Sequence, residues 1–158
     1  GLMNEKKKSY EPILTQITSL GTAAGIVESV KPGGLVAIGT KLDPSMTRSD
    51  SFIGSVIGKP GTLPDNSTLL KLDVNLFDSA VGSTVDSAED LQVKPIQMGE
   101  LLRLNIGTAP VLGKVTKVKS SNIEIELRRP ACIFENGRVA ISRRIAERWR
   151  LIGAGIVG

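Results

Sequence analysis

Aliphatic side chains alternate with polar ones along four stretches of the chain after residue 65. In one of them, Leu102, Leu104 and Ile106 fall on the same side. Arg103 and Asn105 fall on the opposite side. A period of two residues indicates a β-strand with one buried and one solvated face. The other three stretches place aliphatic residues at Leu70, Leu72, Val74 and Leu76, at Ile123, Ile125 and Leu127, and at Val139 and Ile141.

Turn-forming residues separate these stretches. Ser120-Ser121-Asn122 and Glu135-Asn136-Gly137 have turn composition, and Gly113, Gly153 and Gly155 are further candidate turns. Aromatic residues make up 3% of the chain, so the core must be built from Val, Ile and Leu, which favour strands. Strands at this spacing, without long helical patterns, predict an antiparallel barrel or sandwich. The predicted fold class is therefore all-β.

The first third of the chain has shorter patterns. Lys31-Pro32-Gly33-Gly34 is a turn by composition, and the apolar run from Leu35 to Ile38 is predicted to be a buried strand. Two prolines and two glycines between residues 57 and 64 mark a domain boundary. We therefore predict one domain over residues 1–64 and a second over residues 65–158.

The residue inventory excludes most familiar reaction centres. The chain has no histidine and a single cysteine, Cys132, so Ser/His/Asp triads, Cys/His dyads, zinc knuckles and internal disulfides cannot be built. A phosphate-binding loop is also excluded, because only three residues separate Gly54 from Gly58 and Pro60 follows the lysine. We predict no catalytic residue and no metal site in this chain.

Acidic side chains offer no better candidates for catalysis. Asp43-Pro44 is predicted to open a turn in which the Asp43 carboxylate accepts a hydrogen bond from the amide two residues on. The polar, acidic segment from Ser79 to Asp90 is predicted to be an exposed loop. No signal peptide or apolar run of spanning length is present, so we predict a cytoplasmic protein with no membrane partner.

Basic residues are concentrated between residues 128 and 150. Seven arginines face two glutamates there, whereas the whole chain has a net charge of +4. Guanidinium groups attract a phosphate backbone through Coulomb energy and counterion release. The alternative is a solvated charged face that binds nothing. The arginines are Arg128, Arg129, Arg138, Arg143, Arg144, Arg148 and Arg150.

The end of this basic segment is predicted to be a closing hairpin. Its inward-facing residues are predicted to be Val139, Ile141, Trp149 and Leu151. For Trp149 the alternative is that the indole stacks on a guanidinium. The residues predicted to line an exposed basic rim that faces RNA are Arg143, Arg144, Arg148 and Arg150.

Several motifs, in order along the chain, resemble one protein family. The longest runs from Lys31-Pro32-Gly33-Gly34 through Leu42-Asp43-Pro44-Ser45 to Asp50. It resembles domain II of the gamma subunit of archaeal and eukaryotic translation initiation factor 2. Further resemblances lie at Tyr10-Glu11-Pro12-Ile13, at Gly61-Thr62-Leu63-Pro64, at Leu127-Arg128-Arg129-Pro130 and from Arg138 to Gly153.

The resemblance implies an architecture. Members of the family have a GTP-binding domain followed by two β-barrels similar to those of elongation factor Tu. By this resemblance, residues 1–64 are a domain II barrel that is incomplete at its N-terminus, and residues 65–158 are domain III. GTP and Mg²⁺ then belong to a domain that this sequence does not contain. The chain itself is expected to bind no cofactor and to be no enzyme, although the full-length family member is a GTPase.

The resemblance also implies partners. These are methionyl initiator tRNA, the alpha subunit on domain II, the beta subunit through the GTP-binding domain, and the small ribosomal subunit. The candidate residues for the pocket of the tRNA end are Ser19, Leu20, Gly21, Lys31, Pro32, Gly33 and Gly34. Small residues suit such a pocket because backbone must approach ribose and base closely.

Three alternatives stay open. In the first, the candidate pocket residues form ordinary barrel turns. In the second, the chain belongs to an elongation-factor-like GTPase that carries another aminoacyl-tRNA. In the third, it is a structural domain that binds only a protein partner.

Overall fold

The computed structural model describes residues 2–4, 9–81 and 92–158. Within these ranges the chain forms eleven strands and one 3-10 helix, so the predicted all-β fold class is confirmed. The elements are β1 (Leu2–Asn4), β2 (Ser9–Glu11), β3 (Ile17–Thr22), β4 (Gly25–Val27), β5 (Ala37–Thr40), the 3-10 helix (Pro44–Asp50), β6 (Asn66–Val81), β7 (Leu101–Ile106), β8 (Ala109–Lys119), β9 (Asn122–Cys132), β10 (Arg138–Ile145) and β11 (Arg148–Val157).

Strands β6 to β11 form a closed barrel in the order β10-β11-β6-β9-β8-β7. Every neighbouring pair is antiparallel. The alternating aliphatic residues point into this barrel, as predicted from their period. Val74 and Leu76 are partly buried against the core. The predicted core residues that are buried are Leu70, Leu72, Leu102, Leu104, Ile106, Ile123, Ile125, Leu127, Val139 and Ile141.

Two of the predicted turns are confirmed, and the three glycine turns are wrong. Ser120 and Asn136 have positive φ values of 55° and 58° in turns between strands. Gly113 instead lies inside β8, and both Gly153 and Gly155 lie inside β11. A Cβ on Gly113 would lie 2.4 Å from Cγ2 of Ile125. This glycine is therefore present because neighbouring strands leave no room for a side chain, and not because the chain turns.

The prediction that Trp149 and Leu151 pack into the core is wrong. Both are half-buried, and the buried residue of this part of β11 is Ile152. The cause is a β-bulge, because the pairing of β10 with β11 shifts register between Ile141 and Ser142. The extra residue of a bulge changes which side chains face inward.

The first residues of the predicted acidic loop, which was expected from Ser79 to Asp90, belong to a strand instead. Strand β6 continues to Val81, and Ser79 forms a bridge with Gln92. Residues 82–91, which include most of the predicted loop, lie outside the described residues.

By its internal contacts the chain divides into two compact units, with one boundary between Phe52 and Ile53. The unit that contains residues 12–52 holds a three-stranded antiparallel sheet in the order β4-β3-β5. In the region of the predicted incomplete first barrel, the described residues thus form an open three-stranded sheet. The predicted domain assignment, 1–64 and 65–158, stays a prediction.

The predicted burial of the run from Leu35 to Ile38 is wrong. Strand β5 begins at Ala37, and the Leu35 side chain is 92% exposed. Among residues 10–64 none is buried. Three short strands form one open layer, which is too small to enclose a core of its own.

Candidate RNA-binding and partner surfaces

An open cleft of about 470 Å³ lies beside the three-stranded sheet. Of the candidate residues for the tRNA end, Lys31, Gly33 and Gly34 line it. Gly33 and Gly34 have φ values of 117° and 77°, which side-chain-bearing residues rarely adopt, so the turn here requires glycine. The other lining residues are Thr22, Ala23, Ala24, Ser29, Val30, Leu35 and Val36.

The remaining candidates for the tRNA end lie elsewhere in the same sheet. Ser19, Leu20 and Gly21 form the middle of β3, and Leu20 pairs with both β4 and β5. Neither these three residues nor Pro32 line the cleft. The candidates of the turn that follows β4 therefore lie together at the cleft, apart from Pro32, whereas the β3 candidates lie within the sheet.

The turn predicted at Asp43 is confirmed. The backbone N–H of Ser45 donates a 2.8 Å hydrogen bond to Oδ1 of Asp43 at the start of the 3-10 helix. This bond, together with one from the Ser45 hydroxyl, holds the pKa of the Asp43 carboxyl below its ordinary value of 3.8. The carboxylate thus caps a local turn.

The β10–β11 hairpin carries all four arginines of the predicted basic rim. Arg143 pairs with Arg150, Arg144 with Trp149, and Ile145 with Arg148. Side chains of directly paired residues lie on the same face of a sheet. Arg143, Arg148 and Arg150 therefore share one face, and Arg144 lies on the other.

The Arg143 side chain binds other residues of the barrel through hydrogen bonds and an ion pair. Its Nε and Nη2 donate to the Glu100 carboxylate, with 3.1 Å between Nη2 and Oε2. Nη1 donates to the carbonyl of Lys94 at 2.8 Å, and Nη2 lies 3.3 Å from the carbonyl of Pro95. Both side chains of the ion pair are largely shielded from solvent. Arg143 thereby fastens the segment before β7 to β10, and whether it also faces RNA stays a prediction.

The other three rim arginines are more open. Arg144 pairs with Glu147 at the hairpin tip, where both side chains are exposed. Arg148 is exposed, Arg150 is half-buried, and neither has an ion-pair partner among the residues that the structure describes. An exposed ion pair contributes little to stability, so the Arg144 guanidinium can leave Glu147 for another anion. The guanidinium groups of Arg148 and Arg150 are available because they have no ion-pair partner among the described residues.

A further arginine joins Arg144 on the outer face of the barrel. Arg103 lies on β7 between two buried leucines, so its side chain points outward. Ser142 of β10 pairs with it and with Leu151 of β11. In the sequence, Arg103 is a polar position of an alternating strand, and no local pattern connects it with the basic rim. Only the register between β7 and β10 makes that connection.

The opposite side of the barrel exterior differs in its charge pattern. Glu124 on β9 pairs with Lys117 on one side and with Lys71 on the other, and Glu126 pairs with Lys114. Nζ of Lys117 lies 3.3 Å from Oε1 of Glu124. Each of these carboxylates is a direct neighbour of a lysine, so positive charge is locally compensated.

Cys132, at the end of β9, is a free and half-buried cysteine. Burial raises the pKa of the Cys132 thiol, and its Sγ lies 3.8 Å from the carbonyl of Pro64. No three His, Cys, Asp or Glu residues within the described ranges are grouped as metal ligands would be. No described helix has the length and apolar character needed to cross a bilayer.

Comparison with known proteins gives one consistent family. A family model described as "Initiation factor eIF2 gamma, C terminal" matches residues 68–157, which is more than half of the chain. The chain is 44% identical to translation initiation factor 2 subunit gamma of Archaeoglobus fulgidus over 155 residues, which cover 98% of this chain and 36% of that protein. The subunits of the same name from Aeropyrum pernix and Pyrococcus furiosus are 48% and 49% identical over 148 residues.

These alignments cover 94% of this chain and 35% of each of the two relatives. The chain thus spans about a third of the length of the curated relatives that it matches. The match therefore extends over both the three-stranded sheet and the barrel. The chain belongs to the translation initiation factor 2 gamma family, and its residues 68–157 match that family's C-terminal region.

Proposed function

We propose that this chain helps to hold methionyl initiator tRNA and the alpha subunit for delivery to the small ribosomal subunit. GTP and Mg²⁺ bind in a separate domain of the full-length protein, where GTP is hydrolysed and the beta subunit docks. The chain has no reaction of its own and acts in the cytoplasm. Its contribution is recognition.

The observation that carries this proposal is the cleft beside the three-stranded sheet. Its wall combines the cation of Lys31 with glycines and alanines that leave backbone accessible. A terminal nucleotide that carries an aminoacyl group offers a free ribose hydroxyl, a flat base and a phosphate. Bare backbone allows close approach to the sugar and base, and the lysine ammonium suits the phosphate.

The arginines of the barrel support a second contact. Arg148 and Arg150 have no ion-pair partner in the described part of the chain, so their charge is available to the backbone of the same RNA or of the ribosome. The planar guanidinium binds two phosphate oxygens at once. We assign Arg143 a structural role, because its donors already bind Glu100 and two carbonyls.

Filter binding of methionyl initiator tRNA tests the proposal. The protein is a full-length gamma subunit that contains this chain, with GTP and the alpha subunit present. Lys31→Glu is expected to weaken binding about tenfold or more, because it replaces an attractive contact with a repulsive one. Arg148→Gln and Arg150→Gln are each expected to reduce the slope of log affinity against log salt by somewhat less than one.

Lys117→Gln is the matched control, because Lys117 lies on the charge-compensated side of the barrel. Unchanged tRNA affinity in Lys31→Glu would remove the cleft from the contact surface. Competition with elongator tRNA decides the alternative. Equal competition by an elongator tRNA would favour an elongation-factor-like carrier.

A further inference from the structure

The outer surface around Trp149 has a composition that differs from the rest of the barrel exterior. It consists of Arg103, Ser142, Arg144, Trp149 and Leu151, which we call the Trp149 face. Cross-strand pairing places Arg103 beside Ser142, Ser142 beside Leu151, and Arg144 beside Trp149. On β10, Arg144 lies two residues from Ser142, so the two arginines border the same small hydroxyl.

The indole of Trp149 is accessible on this surface. Trp149 is half-buried, and its N–H has no hydrogen-bond partner among the described residues. Within those residues, every buried side-chain nitrogen or oxygen has a partner. The indole N–H must therefore reach solvent. A partly exposed aromatic ring offers a surface on which a base can stack.

The charge of this surface is uncompensated on its strands. Neither β7, β10 nor β11 contributes a carboxylate to it, and the nearby Glu147 lies in the turn at the hairpin tip. Arg103 has no ion-pair partner in the described part of the chain. The pair between Arg144 and Glu147 is exposed, so Arg144 exchanges this carboxylate for another anion at little cost.

We propose that the Trp149 face binds an unpaired RNA nucleotide, with its base stacked on the indole and its flanking phosphates contacted by Arg103 and Arg144. Aromatic rings between cations are the general means by which proteins hold single-stranded nucleic acid. Bases in a duplex are already stacked and do not reach such a ring. The inference rests on the proposed role in initiation for the choice of RNA, and it concerns a different surface from the cleft at Lys31.

The chain contains a single tryptophan, so its fluorescence reports on this site alone. Titration of the 158-residue chain with a ten-nucleotide oligouridylate is expected to quench Trp149 fluorescence. A double-stranded RNA of equal charge, inorganic polyphosphate and polyglutamate are expected not to quench it. Equal quenching by the duplex or by either polyanion would overturn the assignment to an unpaired nucleotide.

Variants locate the contact by anisotropy of the labelled oligouridylate. Trp149→Leu is expected to lower affinity about tenfold, whereas Trp149→Phe retains most of it because a ring remains. Arg103→Gln and Arg144→Gln are each expected to lower affinity several-fold and to reduce the salt slope by about 0.7. The control Lys117→Gln is expected to leave both the quenching and the salt slope largely unchanged. If Lys117→Gln lowered the affinity as much as the arginine variants do, binding could not be assigned to the Trp149 face.

Thermal unfolding of each variant shows which variants are folded. The arginine variants keep Trp149, so quenching of its fluorescence can be measured in them as in the unchanged chain. If oligouridylate fails to quench while Lys31→Glu still weakens initiator tRNA binding, the Trp149 face is overturned and the proposed function stands. If Lys31→Glu has no effect while oligouridylate still quenches Trp149, the cleft fails and the Trp149 face stands.

Discussion

The closed barrel and the three-stranded sheet are both antiparallel β-structure from one chain, yet only one of them has a core. All seventeen buried hydrophobic residues of the described chain follow residue 69. The sheet of β3, β4 and β5 exposes large apolar side chains, among them Ile26 at 85% and Leu35 at 92%. An apolar strand residue is therefore buried only where enough strands close around it.

The difference has an energetic consequence. Removing apolar surface from water contributes about 25 cal/mol per Å², and a fully buried leucine contributes about 1.5–3 kcal/mol relative to an exposed one. Leu104 in the barrel receives this contribution, since it is 0% exposed, and Leu35 in the sheet does not. The barrel is held together by its side chains, whereas backbone pairing and local turns shape the sheet.

Matched leucine truncations give the largest expected contrast. Leu104→Ala is expected to lower the free energy of unfolding by about 2–5 kcal/mol, because it removes buried contacts and leaves a cavity. Leu35→Ala is expected to change it by less than about 0.5 kcal/mol, since the side chain already lies in water. Urea unfolding followed by far-UV circular dichroism measures both. If Leu35→Ala lowered the free energy of unfolding by about 2 kcal/mol, Leu35 would have to make apolar contacts, which contradicts its exposure in the structure.

Matched truncations of two ion pairs give the next contrast. Arg143→Met is expected to cost about 1.5–3 kcal/mol, because Glu100 and two carbonyls lose charge-assisted donors in a shielded site. Lys117→Met is expected to cost less than about 1 kcal/mol, since the Lys117 side chain is 67% exposed. The same unfolding measurement compares them. Equal losses would mean that the Arg143 pair contributes no more than an exposed pair.

Much of the barrel followed from the sequence because its signal is local and repeated. The alternation of Leu102, Leu104 and Ile106 predicts both a strand and its buried face, and the structure confirms both. The turns predicted at the glycines of β8 and β11 were wrong, because sequence composition does not distinguish a turn from a close approach between strands. The approach at Gly153 involves the backbone oxygen of Asn75, which is distant in sequence.

The candidate sites could be predicted only in part, because most of their contacts depend on the register between strands. The turn at Asp43 is local and was predicted. The bulge that replaces Leu151 with Ile152 in the core depends on how β10 meets β11. The bond from Arg143 to Glu100 joins residues 43 positions apart, and no pattern within either strand indicates it.

A titration of Asp43 gives the smallest expected effect and tests whether local bonds shape the region before β6. The Ser45 amide, and then its hydroxyl, lower the folded-state pKa of this carboxyl. The bonds therefore favour the folded turn at a pH above the unfolded pKa, and this contribution is lost as the pH falls through the folded value. Carbon-detected NMR is expected to place the pKa of Asp43 below 3.8. Ser45→Ala should raise it only part of the way, because the amide remains, and a full return to 3.8 would assign the effect to the hydroxyl.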